Sequence, residues 1–168
     1  KSFILPASFI ASKDPEVRDN FHATLEGHVR PYSSAFSYLL NFAYHDLEVI
    51  DFNGIETVEA RAHTHDSIVQ HHIFFAPNGV DALEPGWVQQ NLAKHANQHA
   101  TFWNYPGVGG SEGDPCHVND LVEAGYQQVR RVLNQGTNAE HITLQAYSLG
   151  GGVAARVARK LHNEGYPV

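Results

Sequence analysis

The segment Thr143-Leu144-Gln145-Ala146-Tyr147-Ser148-Leu149-Gly150-Gly151-Gly152 constrains this chain more than any other. Ile142, Leu144 and Ala146 alternate with more polar neighbours, as in a strand of a buried sheet. From Val153 the period changes: Val153, Ala154, Val157, Ala158 and Leu161 fall three and four apart, with Arg156, Arg159 and Lys160 between them. The basic residues lie toward the far end of this helix, where they complement its dipole. Asn163-Glu164-Gly165 is a stop signal. Strand and helix are therefore joined with almost no connecting chain, and Ser148 sits at the join. A turn that tight brings two backbones nearly into contact, so the residues two positions either side of the serine must be small. Ala146 and Gly150 meet that demand.

Two upstream segments repeat the strand-then-turn pattern. Gln70 to Ala76 reads as a strand and leads into the turn Pro77-Asn78-Gly79-Val80. A helix follows, with Pro85 in its first turn and Trp87, Val88, Leu92 and Ala96 along its apolar side. Ala100 to Tyr105 is a second strand, and Pro106 to Gly113 is a glycine loop. Val118, Leu121, Val122, Gly125, Val129, Val132 and Leu133 then form the stripe of a helix that Gly136 ends. Alternation of this kind predicts an α/β fold: a mostly parallel sheet with helices on both faces. All three turns fall at strand carboxyl ends, where sites in such sheets gather.

Before these segments, Glu48–Asp51 and Ile55–Arg61 flank Asn53-Gly54, the signature of a two-residue hairpin. Residues 1–46 read as an N-terminal helical element. Asp14-Pro15-Glu16 starts one helix, and Phe36, Leu39, Leu40 and Ala43 lie at helical spacing within a second segment. Packing of this element against the sheet is the default, and docking on a membrane surface is the alternative. Residues 47–168 form the second division.

Three ordered motifs carry a family resemblance. Ala146-Tyr147-Ser148-Leu149-Gly150 resembles the nucleophile elbow of the α/β-hydrolases, usually G-x-S-x-G, with Ala at the first position. Phe74 to Gly79 resembles that family's strand-three motif, but Ala76 and Pro77 stand where His and Gly are usual. Asn104 to Ser111 is similar to its strand-four string. The resemblance covers about Leu47 to Val168 and implies a serine hydrolase of the esterase or lipase kind. It implies Ser148 as nucleophile, with the backbone N–H groups of Leu149 and Asn78 as oxyanion donors. Pro77, which lacks an N–H, limits the choice of donors. Pro77, Gly79, Tyr147, Gly107 and Val108 are the implied pocket lining. The partner would be a small-molecule or lipid acyl substrate, and no cofactor is implied.

In that family the triad acid and base follow the serine in the chain. After Ser148 there is no Asp, and His162 and Glu164 lie at the end of the elbow helix. The chain begins at Lys1, contains no Met, and ends in what reads as a loop into another strand. The expectation is that a C-terminal segment, or a second chain, completes the sheet and supplies acid and base. These 168 residues alone are expected to be inactive. A non-catalytic binding or interaction module on the same fold is the alternative.

Other features exclude function classes. The net charge is −7 with no basic stripe, which argues against nucleic acid. The glycine loop is not a dinucleotide fingerprint: counted from Gly107, the third glycine would fall at Glu112. Cys116 is the lone cysteine, so there is no disulfide framework, and a structural role is expected. Twelve histidines are many. His63 and His65 would share a strand face at a spacing that can bind zinc, but no metal is assigned. His45, His95, His99 and His117, like His22 and His28, read as surface or helix positions. No signal peptide or transmembrane span is evident, which leaves cytoplasm and secretion as an effector both open. The Asn, Gln and His content is associated with AT-rich bacterial genomes.

Overall fold

The computed structural model describes residues 45–66 and 68–168. The helices expected before residue 45 lie outside the described residues. Five strands form one sheet in the order β1-β2-β4-β3-β5: β1 is His45–Phe52, β2 Ile55–Ala62, β3 His71–Phe75, β4 His99–Trp103 and β5 Ile142–Ala146. Helix α1 is Pro85–Leu92, α2 Val118–Asn134 and α3 Leu149–Asn163, and a short 3-10 turn, Ala139–His141, precedes β5. Strand β1 starts two residues before the expected division at residue 47.

Strands β3, β4 and β5 are mutually parallel. Strand β2 runs against both its neighbours, β1 and β4. All strands but β2 therefore point one way, and the sheet is mixed, opening on a hairpin. The hairpin turns at Asn53 (φ 56°) and Gly54 (φ 76°), the paired left-handed geometry that matches strand twist. The Gly54 N–H donates to Asp51 Oδ1 at 2.8 Å.

Alternation along the strands divides the core. Ile73 and Phe75 of β3, with Trp103 and Ile142, pack against Leu121, Val129 and Val132 of α2 and Val153, Val157 and Leu161 of α3. Phe74, Ala60, Ala100 and Phe102 face the other way, onto Val88 and Leu92 of α1. Strand β3, flanked on both sides, is buried at every position, with apolar Ile73–Phe75 after two buried histidines. Gly125 lets α2 close on the sheet: a Cβ there would stand 2.7 Å from the Phe75 ring.

The helix ends follow capping chemistry. Asp120 accepts from the N–H groups of Cys116 and His117, each at 2.8 Å, at the start of α2. Those bonds hold its carboxyl below the usual range. Helix α3 stops in a Schellman motif, with Tyr166 N–H donating to Leu161 O at 2.9 Å and Gly165 N–H to His162 O at 3.0 Å. Among the described residues no helix is long and apolar enough to cross a membrane.

Candidate active site

Ser148 occupies the join between β5 and α3 with φ 50° and ψ −115°. A non-glycine residue at positive φ is strained, and such strain persists only where the surroundings enforce it. Here β3 enforces it. Tyr147 N–H donates to Phe75 O at 3.2 Å, tying the turn to the end of the central strand. Gly150 lies against the same carbonyl. A Cβ at residue 150 would overlap Phe75 O and stand 2.9 Å from Ala76 O. The demand for a small residue two positions after the serine is thus met by backbone contact. Ser148 is exposed and stands at the N-terminus of a 15-residue helix. The N–H of Leu149, first in the helix, precedes the intrahelical ladder, and the helix end adds positive potential.

The turn after β3 carries Asn78 and Gly79, both exposed, with Gly79 at φ 76°. Pro77 is half-buried. Parallel pairing of β5 with β3 brings this turn and the serine turn to one end of the sheet: Phe75 lies opposite Ala146. Tyr147 is 38% exposed and its ring meets Trp87 edge-on at 5.0 Å. Gly107 is buried, and Val108 is 1% exposed and packs within the core. Val108, expected among the pocket lining, is thus part of the core.

The support also contains residues that sequence reasoning did not single out. Asn104 is buried at 1% exposure. Its amide donates to Asp81 Oδ1 at 2.8 Å and to Glu56 Oε2 at 3.1 Å, and its Oδ1 accepts from Ala82 N–H at 2.8 Å. Burial pushes the Asp81 carboxyl up, against the lowering effect of the Leu83 N–H and Asn104. Among the described residues its Oδ2 has no hydrogen-bond partner. Tyr105 donates from its hydroxyl to Ala76 O at 3.1 Å, and burial pushes that hydroxyl up. Asn104 stands where the strand-four string usually has Asp; that position was a signal, but its partners lie far away in sequence.

Other expected residues lie elsewhere. His162 is fourteen residues along α3 from Ser148, about 20 Å at 1.5 Å per residue. Glu164, beyond it, accepts from Tyr126 Oη at 2.7 Å. Neither reaches the serine. Cys116 is exposed and packs in no core. His63 and His65 do not share a strand face, because β2 ends at Ala62 opposite His45. His63 instead meets Asp46 at 2.9 Å. His45 is buried, not at the surface, and donates to the Gln98 carbonyl at 2.9 Å. His99 opens β4 and accepts from Ala62 N–H at 3.0 Å.

Comparison with known proteins agrees with this fold. An esterase/lipase from an uncultured bacterium superposes with a TM-score of 0.57 at 19% identity, over 74% of this chain and 41% of its own. The hyperthermophilic esterase from Pyrobaculum calidifontis gives 0.53 at 16%, over 92% of this chain and 55% of its own. An Aspergillus niger epoxide hydrolase gives 0.50 at 12%, over 88% and 41%. The chain thus spans about 41% of the length of the bacterial esterase/lipase it resembles. No curated protein is significantly similar in sequence. At these identities the likeness establishes the fold, which is that of the α/β-hydrolases. Residues 46–165 match the family described as Chlamydia CHLPS protein (DUF818), and the chain belongs to that family.

Proposed function

We propose that this chain carries the elbow-bearing half of a serine hydrolase acting on an ester, thioester or amide. The observation that supports it most is the enforced positive φ of Ser148 on an exposed turn at a helix N-terminus. Strain there has no packing benefit, since the side chain is exposed; it presents the hydroxyl outward. In this reading Ser148 Oγ attacks the acyl carbon while a base takes its proton. The oxygen of the tetrahedral intermediate accepts from the N–H groups of Leu149 and Asn78. Collapse expels the alcohol, thiol or amine, which leaves with the proton. Water then attacks the acyl-serine with the same base, releasing the acid and restoring Ser148.

The acid and base belong, in this proposal, to strands that pair beyond β5 from a C-terminal segment or a second chain. Strand β5 pairs with β3 on one side only among the described strands. An unpaired edge on an apolar strand favours addition of a further strand. Residues 47–168 then form the hydrolase half. Fold alone does not decide chemistry, as the epoxide hydrolase among the similar structures illustrates.

One observation favours a second reading, a non-catalytic binding module: Ala76-Pro77 replaces His-Gly where the second oxyanion donor is expected. Fluorophosphonate labelling of the full-length gene product, beside Ser148→Ala, separates the two. Label that vanishes in the variant is the expected result. A folded full-length protein that takes no label would establish the binding module as the better account.

A further inference from the structure

The segment from Ala76 to Ala82 connects β3 to the approach of α1 and carries Asn78 and Gly79. Both its ends are held by two consecutive residues at the carboxyl end of β4. Tyr105 Oη donates to Ala76 O at 3.1 Å, and Ala82 N–H donates to Asn104 Oδ1 at 2.8 Å. These two side chains are 2% and 1% exposed, whereas Asn78 and Gly79 between the anchors are exposed.

Asn104 is itself fixed. Its amide donates one bond to Asp81, inside the held segment, and one to Glu56 at the start of β2. Glu56 also accepts from Gly110 N–H at 2.7 Å. Asn104 N–H donates to Glu56 O at 3.0 Å, and Ser111 Oγ donates to Asn104 O at 3.1 Å. The Asn104 side chain is therefore tied to the hairpin through Glu56 and its backbone to the glycine loop through Ser111, and the amide cannot turn without breaking its bonds to Glu56 and Asp81. Tyr105 is wedged by the Trp103 ring, edge-on at 4.9 Å.

We propose that Asn104 and Tyr105 are positioning residues that clamp the 76–82 segment at both ends and so fix the direction of the Asn78 N–H. Five residues, 77–81, span the clamp, and a connecting segment of that length has many conformations unless its ends are fixed. A donor displaced by an ångström loses most of its effect on a developing charge. The catalytic consequence rests on the serine hydrolase reading; the clamp itself does not.

Two measurements on the full-length protein test the clamp. The first is amide hydrogen exchange of residues 76–83 in the wild type, Tyr105→Phe and Asn104→Leu. The phenylalanine variant keeps the ring and removes only the hydroxyl, so it retains the fold if the leucine variant does not. Exchange in the segment is expected to rise about tenfold or more in each folded variant. Unchanged exchange would overturn the clamp. The second is fluorophosphonate labelling resolved into an affinity and a maximal rate. Tyr105→Phe is expected to lower the maximal rate about fivefold with the affinity unchanged, as a misaimed oxyanion donor does. A merely structural loss would reduce the fraction of protein that labels and leave the maximal rate alone. Tyr126→Phe, which deletes a hydroxyl that bonds Glu164 at the end of α3 and touches neither end of the clamp, is the control and leaves both unchanged. A protein that labels with an unaltered maximal rate, despite faster exchange, would overturn the positioning role. If the wild type takes no label, the hydrolase reading falls, and exchange decides the clamp.

Discussion

At the carboxyl ends of β3 and β5 backbone meets backbone. Tyr147 N–H reaches Phe75 O, Gly150 leaves no room for a side chain, and Ser148 is held at φ 50°. At the opposite end of the sheet the contacts are made by imidazoles. His45 opens β1, His71 opens β3 and His99 opens β4. His71 Nε2 lies 2.8 Å from Thr101 Oγ1, and its ring meets His99 edge-on at 5.8 Å. His72 stacks on His95 at 4.0 Å, and the Gln98 side-chain carbonyl accepts from both rings. One end stores conformational strain and presents polar atoms outward. The other packs imidazole rings, with His45, His71 and His72 buried, against one another and against Gln98 and Thr101. The two ends should therefore fail under different stresses.

Acid separates them most strongly. Burial, then His99 and nearby charge, lowers His71 from 6.5 to about 3, and burial also lowers His45, His72 and His99. A histidine that titrates lower when folded leaves the unfolded chain binding more protons below pH 6.5. Stability is then complete above about 6.5 and falls as pH drops toward 3. His71 alone would contribute a loss on the order of 4 kcal/mol by pH 3. Protonated His99 could no longer accept from Ala62 N–H. Urea midpoints between pH 7 and 4 should fall steeply, and His71→Asn should flatten that slope. A midpoint independent of pH would remove the histidine end as a stability element.

Gly150→Ala attacks the other end. Its Cβ would collide with the Phe75 carbonyl, and main chain cannot yield as a flexible side chain can. A loss of about 3 kcal/mol is expected at pH 7, with the same pH slope as the wild type. A neutral substitution would mean that β3 and α3 are further apart than described.

Asp81→Asn is expected to act oppositely. Burial raises the Asp81 pKa above 3.8, so its contribution is best at low pH and is lost as pH rises through the folded value. Replacing the carboxylate, one of whose oxygens is unpartnered, should raise stability by about 1 kcal/mol at pH 7. That gain should disappear near pH 3. The smallest effect is Ser148→Gly, which relieves the positive φ and should add about 1 kcal/mol or less while abolishing labelling. Thermal midpoints with and without the substitution check both.

Local order was legible in the sequence where one short segment decides its own shape. Asn53-Gly54 can only turn one way between two strands, and the hairpin forms there. The stripe from Val118 to Leu133 became α2, and the switch from period two to period 3.6 at Ser148 became the elbow. The smallness of Gly150 was legible from the tightness of the turn, but the carbonyls that demand it, those of Phe75 and Ala76, belong to β3 and its turn. By contrast, His45 and His99 looked like surface residues, because polarity in a string gives no sign that a neighbouring turn will cover it. Gln98, in the connection after α1, does the covering at His45, and only the β2–β4 pairing makes Ala62 the partner of His99.

The same distinction holds at the site. The sequence by itself determined which turns sit at strand ends and which serine stands at the strand-to-helix join, since periodicity and turn chemistry act over a few residues. Tertiary structure alone decided that Val108 is buried in the core. It alone decided that Asn104 and Tyr105 grip a segment more than twenty residues earlier. Hydrogen bonds and close packing depend on distances in space, and those are set only when the sheet brings β4 alongside β3.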